Sequence, residues 1–199
     1  MASTTYSPAP LQPRLVGRAR GSRSGIWVGI FAITMSFAAF TSALYVRQGS
    51  GDWAHIVLPR IMYANTLVLL VSSFTMEMSR RTIAGSLRSQ VRERTVALGW
   101  LAATLLLGLA FVSGQFLAWR QLAAQGLYLA TNSNSSFFYV FTAMHGLHLL
   151  GGIAALVYLL TRLAGGYTFR RNLFEGVAIY WHFMGVLWLY LLLVICTKL

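Results

Sequence analysis

The chain has 199 residues, of which 57% are hydrophobic and only 10% charged, and its mean hydropathy is +0.63. Soluble domains carry about 25% charged residues, so this composition excludes a soluble enzyme and a disordered protein and indicates an integral membrane protein. The single cysteine excludes a disulfide framework and a Cys pair that could hold zinc or an iron–sulfur cluster.

Long uncharged runs mark the predicted membrane spans, because a transmembrane helix needs about 20 apolar residues. Runs of 23, 25 and 22 uncharged residues occupy 24–46, 95–119 and 176–197. A fourth apolar run covers 61–79, and the polar cluster at 131–136 divides a longer uncharged stretch, so that a further helix begins after it. In chain order the sequence therefore predicts five helices, at about 25–46, 60–79, 96–119, 137–161 and 175–197.

Basic residues are divided unevenly between the two predicted membrane faces. Twelve of the sixteen fall on one side, namely Arg14, Arg18, Arg20, Arg23, Arg80, Arg81, Arg88, Arg92, Arg94, Arg162, Arg170 and Arg171. By the positive-inside rule the N-terminus is predicted to be cytoplasmic and the C-terminus external. Because membrane topology accounts for the net charge of +12, no nucleic-acid partner is expected.

The first 24 residues are rich in Ser, Thr, Pro and Arg and have no apolar periodicity. This composition predicts a disordered, basic cytoplasmic arm that precedes a transmembrane domain over 25–199. A cleaved signal peptide is the alternative, although the apolar run that follows the arm is longer than an ordinary signal core.

Ionisable side chains within the predicted helices are the first functional candidates, because charge is costly in lipid. Glu77 precedes Arg80 and Arg81 by three and four residues, the spacings at which a helical carboxylate meets a guanidinium. The sequence therefore predicts an ion pair at the inner membrane border. A role of Glu77 in proton uptake is the alternative.

Two further polar stripes lie on the last two predicted helices. His145 and His148 project from one face of the fourth helix, and Glu175 and His182 lie two turns apart on the fifth. Their alignment predicts that His148 meets Glu175 or His182 and fixes the register of these helices. Haem ligation is the alternative, but a haem-binding helix pair carries its histidines at wider spacing, so interhelical hydrogen bonds are favoured.

The sequence contains no nucleophile with an adjacent base, no HExxH pair and no glycine-rich phosphate loop. We therefore expect no independent active site and no metal or cofactor site in this chain. A five-helix bundle with polar stripes and no catalytic constellation indicates a subunit of a larger membrane assembly.

Two C-terminal motifs carry a family resemblance. The segments 137–150, FFYVFTAMHGLHLL, and 174–191, FEGVAIYWHFMGVLWLYL, resemble the last two helices of subunit III of haem-copper terminal oxidases, where HGLH and Phe-Glu followed by Trp-His-Phe recur in this order. The segments 25–37 and 58–75 are similar to two earlier helices of that family. The motif residues that this resemblance singles out are His145, His148, Glu175, Trp181 and His182.

The resemblance implies the short, five-helix bacterial form of subunit III, a multi-pass protein of the inner membrane. In this family subunit I carries the haems and copper, whereas subunit III holds neither, packs against subunit I, protects it from inactivation and supports proton uptake. We therefore expect a non-catalytic component of a cytochrome c or quinol oxidase, with subunit I and, indirectly, subunit II as partners. Membrane phospholipid is a further expected ligand.

The chain departs from the family pattern at two positions. Ile33 stands where the first retained helix usually has an acidic residue, and Met184 stands where Asp often follows Trp-His-Phe. A carboxylate relay is therefore not expected. Three alternatives to the oxidase remain: a related subunit of nitric oxide reductase, a small transmembrane cytochrome, and a lipid-binding or assembly factor.

Overall fold

The computed structural model describes the backbone of residues 14–49, 59–85, 91–127, 133–165 and 171–198. Within these ranges it has five helices, α1 Arg14–Gln48, α2 Ile61–Gly85, α3 Val91–Ala124, α4 Ser133–Ala164 and α5 Arg171–Lys198. Each helix contains a span of 24 to 33 residues that is long and apolar enough to cross a membrane. The predicted all-α, five-helix membrane bundle is confirmed.

The helices extend beyond their predicted ends. The prediction of a disordered arm over 1–24 differs from the structure, in which α1 already begins at Arg14, and residues 1–13 lie outside the described residues. Likewise α4 begins at Ser133, inside the polar cluster that was expected to be a loop. The predicted ends are too short because charged residues mark only where lipid ends, and a helix does not have to end there. At 1.5 Å per residue, α1 is about 52 Å long, well beyond a hydrocarbon core of about 30 Å.

Helices α2 to α5 form a closed ring, in which each packs against its two neighbours, and α1 lies outside this ring against α5 and α4. Hydrogen bonds join α2 to α3 at two levels. The Ser79 hydroxyl donates to the carbonyl of Ala97 (2.9 Å), and the Asn65 amide donates to that of Phe111 (3.3 Å). The two helices are therefore antiparallel between these two contacts.

Aromatic side chains are among the largest buried groups of the bundle. The largest buried side chains include Phe37, Phe111, Phe138, Phe141, Phe174, Trp181 and Trp188. Close packing of this kind holds membrane helices together, because lipid tails provide no hydrophobic driving force between them. One end of the bundle, here called the arginine-rich end, carries Arg80, Arg81, Arg92, Arg94 and Arg162. There the Arg94 guanidinium donates to the carbonyl of Leu163 (2.7 Å) and ties α3 to the end of α4.

Candidate functional site

The predicted motif residue Trp181 lies at the centre of the ring and joins α5 to three other helices. Its indole N–H donates to the Ser72 hydroxyl of α2 (2.8 Å), and the side chain is fully buried. A methyl group added at Gly108 of α3 would lie 2.8 Å from the ring, and one at Gly152 of α4 would lie 3.3 Å from it. These glycines make room for the indole, so Trp181 fixes the positions of four helices.

A second tryptophan, which the sequence analysis missed, repeats this contact two turns along α5. The Trp188 indole N–H donates to the Thr66 hydroxyl (3.0 Å), and its ring meets Phe111 edge-on at 4.9 Å. The seven-residue spacing from Trp181 was the available signal, because it places both indoles on one helix face. Together the two indoles bind a row of α2 hydroxyls that are hidden from lipid.

The structure brings together Glu77, Arg80 and Arg81 at the arginine-rich end. The Glu77 carboxylate accepts two hydrogen bonds from Arg80, both of 2.7 Å, and one from Arg81 of 2.8 Å. His182 of α5 joins this group, since its Nε2 lies 4.0 Å from a Glu77 oxygen. The cluster therefore pairs charges along α2 and lies beside His182 of α5.

Glu175 of α5 also faces α2. It lines a small cavity together with Arg80, Ile83 and Ala84 of α2 and Phe174 of its own helix. The polar stripe of α5 is thus turned towards α2 and not towards α4.

The predicted approach of His148 to Glu175 or His182 is not found among the described residues. The Nδ1–H of His148 donates to the carbonyl of Met144 within α4 (2.7 Å), and its ring lies 6.0 Å from that of Phe37 in α1. The register of α4 against α5 depends instead on Tyr180, whose hydroxyl donates to the backbone carbonyl of His148 (2.9 Å).

His145 is enclosed by aromatic rings. Its ring centroid lies 5.2 Å from that of Trp188 and 6.0 Å from that of Phe111, and only 1% of the residue is exposed. Neither ring nitrogen has a hydrogen-bond partner within the described part of the chain, and the same holds for the amide of Gln115 on α3. Gln115 does not stand out in the sequence, because a single Gln in an apolar helix forms no pattern.

A family model described as cytochrome c oxidase subunit III matches residues 20–197, which include parts of all five helices. The chain belongs to this family. The match contains each of the motif residues described above, and it also includes α3, which the segments quoted for the resemblance do not reach.

Individual relatives give the same assignment. A probable cytochrome c oxidase subunit 3 of Mycobacterium bovis is 31% identical over 179 residues, which cover 85% of this chain and 79% of the relative. A cytochrome c oxidase subunit 3 of Synechocystis is 28% identical, with coverage of 87% and 70%. A probable quinol oxidase subunit 3 of Staphylococcus haemolyticus is 26% identical, with coverage of 85% of each chain.

These matches identify a subunit III of haem-copper oxidases, a multi-pass bacterial membrane protein that works with other oxidase subunits in an oxidoreductase complex. The expected family and its role in an oxidase are confirmed. The nitric oxide reductase and assembly-factor alternatives find no support in these comparisons.

Proposed function

We propose that this subunit III is a non-catalytic component that stabilises subunit I of the oxidase and supports proton uptake during oxygen reduction and proton translocation. The observation that carries the proposal is that polar aromatic side chains of α5 form hydrogen bonds with neighbouring helices. Trp181 and Trp188 bind hydroxyls of α2, and Tyr180 binds the backbone of α4, so these groups hold helices together. Haems and copper belong, on this proposal, to subunit I.

The arginine-rich end is proposed to face the cytoplasm, as the positive-inside rule requires. The cluster of Glu77, Arg80, Arg81 and His182 then lies on the side from which a respiratory oxidase takes up protons. Glu77 is 22% exposed, so its carboxylate is accessible to protons at the membrane border. This position supports a part for the cluster in delivering protons to subunit I.

The stabilising role is tested by comparing the complete oxidase with the same complex after removal of this chain. We expect oxygen consumption to begin without the chain, because the redox centres are in its partners, and then to decay irreversibly during turnover. An identical lifetime of the two preparations would contradict the stabilising role.

The proton-uptake role is tested separately in the complete complex with Glu77→Gln. We expect this change to slow proton uptake most strongly at alkaline pH, where protons are scarce. Glu93→Gln is the matched control, since it removes one carboxylate from the arginine-rich end outside the cluster, and it should leave uptake unchanged. Equal behaviour of the two variants would contradict a role for the cluster.

A further inference from the structure

The cluster of Glu77, Arg80, Arg81 and His182 contains ionisable groups of two kinds. The Glu77 carboxylate accepts three hydrogen bonds of 2.7 to 2.8 Å from the two guanidiniums. A guanidinium keeps its proton in proteins, so these three groups form a set of fixed charges. An imidazole, in contrast, gains and loses its charge close to neutral pH. His182 is therefore the member of the cluster whose chemistry suits the uptake and release of a proton.

His182 lies further into the membrane than the groups at the border. Glu175 of the same helix lies beside Arg80, where both line a small cavity at the arginine-rich end. His182 follows Glu175 by seven residues, which is about 10 Å along α5 at 1.5 Å per residue. At that depth its Nε2 lies 4.0 Å from a Glu77 oxygen. A proton bound at His182 has therefore already moved inwards from the membrane border.

The His182 ring is close to the Glu77 carboxylate without being tied to it. A separation of 4.0 Å is longer than a hydrogen bond of about 2.7–3.2 Å, but a carboxylate at this distance still stabilises a positive charge. The side chains of His182 and Arg80 are 38% and 39% exposed. The bundle thus does not enclose the ring, and a proton reaches Nε2 without movement of a helix.

The charge of the His182 ring depends mainly on the α2 members of the cluster. On its own helix Glu175 is two turns away. Helix α4 contributes His148, whose Nδ1–H is bonded to a backbone carbonyl within α4 (2.7 Å). The described part of α1 has no titratable side chain over residues 25–44. Glu77 is therefore the counter-charge of a protonated His182 ring.

We propose that His182 is the proton-exchanging residue of the cluster. The unprotonated Nε2 takes a proton from cytoplasmic water, and the resulting imidazolium, stabilised by Glu77, releases it towards subunit I and returns to the neutral form. Glu77 is a positioning residue that supplies a fixed negative charge and does not itself carry the proton. This inference rests on the proposed function, because it needs both the cytoplasmic orientation of the cluster and its part in proton uptake.

The pH profile of proton uptake by the complete oxidase tests this role. Uptake is followed with a pH-indicator dye after oxygen is added to the reduced enzyme, between about pH 5 and pH 9, a range that includes the titration of an imidazole. We expect the unchanged enzyme to show a step in the rate and His182→Gln to lose that step. At acidic pH the variant should keep the unchanged rate, because protons are then abundant, which also shows that the variant is folded. His148→Gln is the matched control and should keep the step.

The variant Glu77→Gln separates this inference from the proposed function. Removal of the counter-charge should move the step to lower pH without abolishing it. Slower uptake with Glu77→Gln but an unchanged profile with His182→Gln would leave the role of the cluster intact and refute His182 as the carrier. Unchanged profiles in both variants would refute the uptake role and the inference together. An equal loss of rate at every pH with His182→Gln would indicate a merely structural residue and would also overturn the inference.

Discussion

At the scale of single residues, the interior of the bundle contains polar groups of two kinds. The indoles of Trp181 and Trp188 have hydroxyl partners on α2, so their burial is compensated. The side chains of Gln115 and His145 have no hydrogen-bond partner within the described residues, although both are buried. A buried polar group without a partner costs about 1–3 kcal/mol, which makes these two positions sensitive to substitution.

This cost predicts the effect of Gln115→Met. Methionine has a similar length and no amide, so it removes two buried polar atoms and leaves the packing nearly unchanged. We expect the unfolding temperature of the purified oxidase to rise, corresponding to a gain of about 1–3 kcal/mol in the stability of this subunit. Gln121→Met, at an exposed position of α3, should have no effect. A fall in the unfolding temperature with Gln115→Met would mean that the amide has a partner in the assembled complex.

At the scale of helices, contact between α3 and α5 depends on a glycine. A Cβ at Gly108 would lie 2.8 Å from the ring of Trp181, whereas at Gly99 on the same helix it would have no neighbour within 4 Å. Gly108→Ala should therefore destabilise the bundle by about 1–3 kcal/mol through overpacking. Gly99→Ala should stabilise it by up to about 1 kcal/mol, because alanine favours a helix. Thermal unfolding of the two variants tests both predictions. A Gly108→Ala protein as stable as the unchanged protein would contradict the central position of Trp181.

The helices also show what the sequence does and does not predict. The existence and order of the five spans follow from uncharged runs, because lipid excludes charge. The ends of α1 and α4 do not follow, since both helices begin within polar or charged segments outside their predicted spans. The rotation of each helix about its own axis is still harder to predict from the sequence. Glu175 and His182 were correctly placed on one stripe of α5, but the stripe faces α2 and not His148. Because the other faces of α5 are all apolar, the sequence pattern does not say which neighbouring helix the polar stripe meets.

At the scale of the whole molecule, the orientation in the membrane is a prediction of the charge distribution. It is tested by replacing Cys196 with Ala and placing a single cysteine either at Gln125, between α3 and α4, or at Gly165, after α4. Both positions are exposed. In intact cells an impermeant maleimide should label Gln125→Cys, and it should label Gly165→Cys only after the membrane is permeabilised. The reverse pattern would invert the topology and separate the Glu77 cluster from the cytoplasm.

The central claim is that this chain is a non-catalytic subunit that acts only within an oxidase. The most direct measurement is affinity purification of the tagged chain from mildly solubilised native membranes, followed by a reduced-minus-oxidised spectrum and mass identification of its partners. We predict that a haem-copper subunit I accompanies the chain, that the spectrum shows its haems, and that the separated chain is free of haem. Haem bound to the isolated chain, or purification without any haem-bearing partner, would contradict the claim.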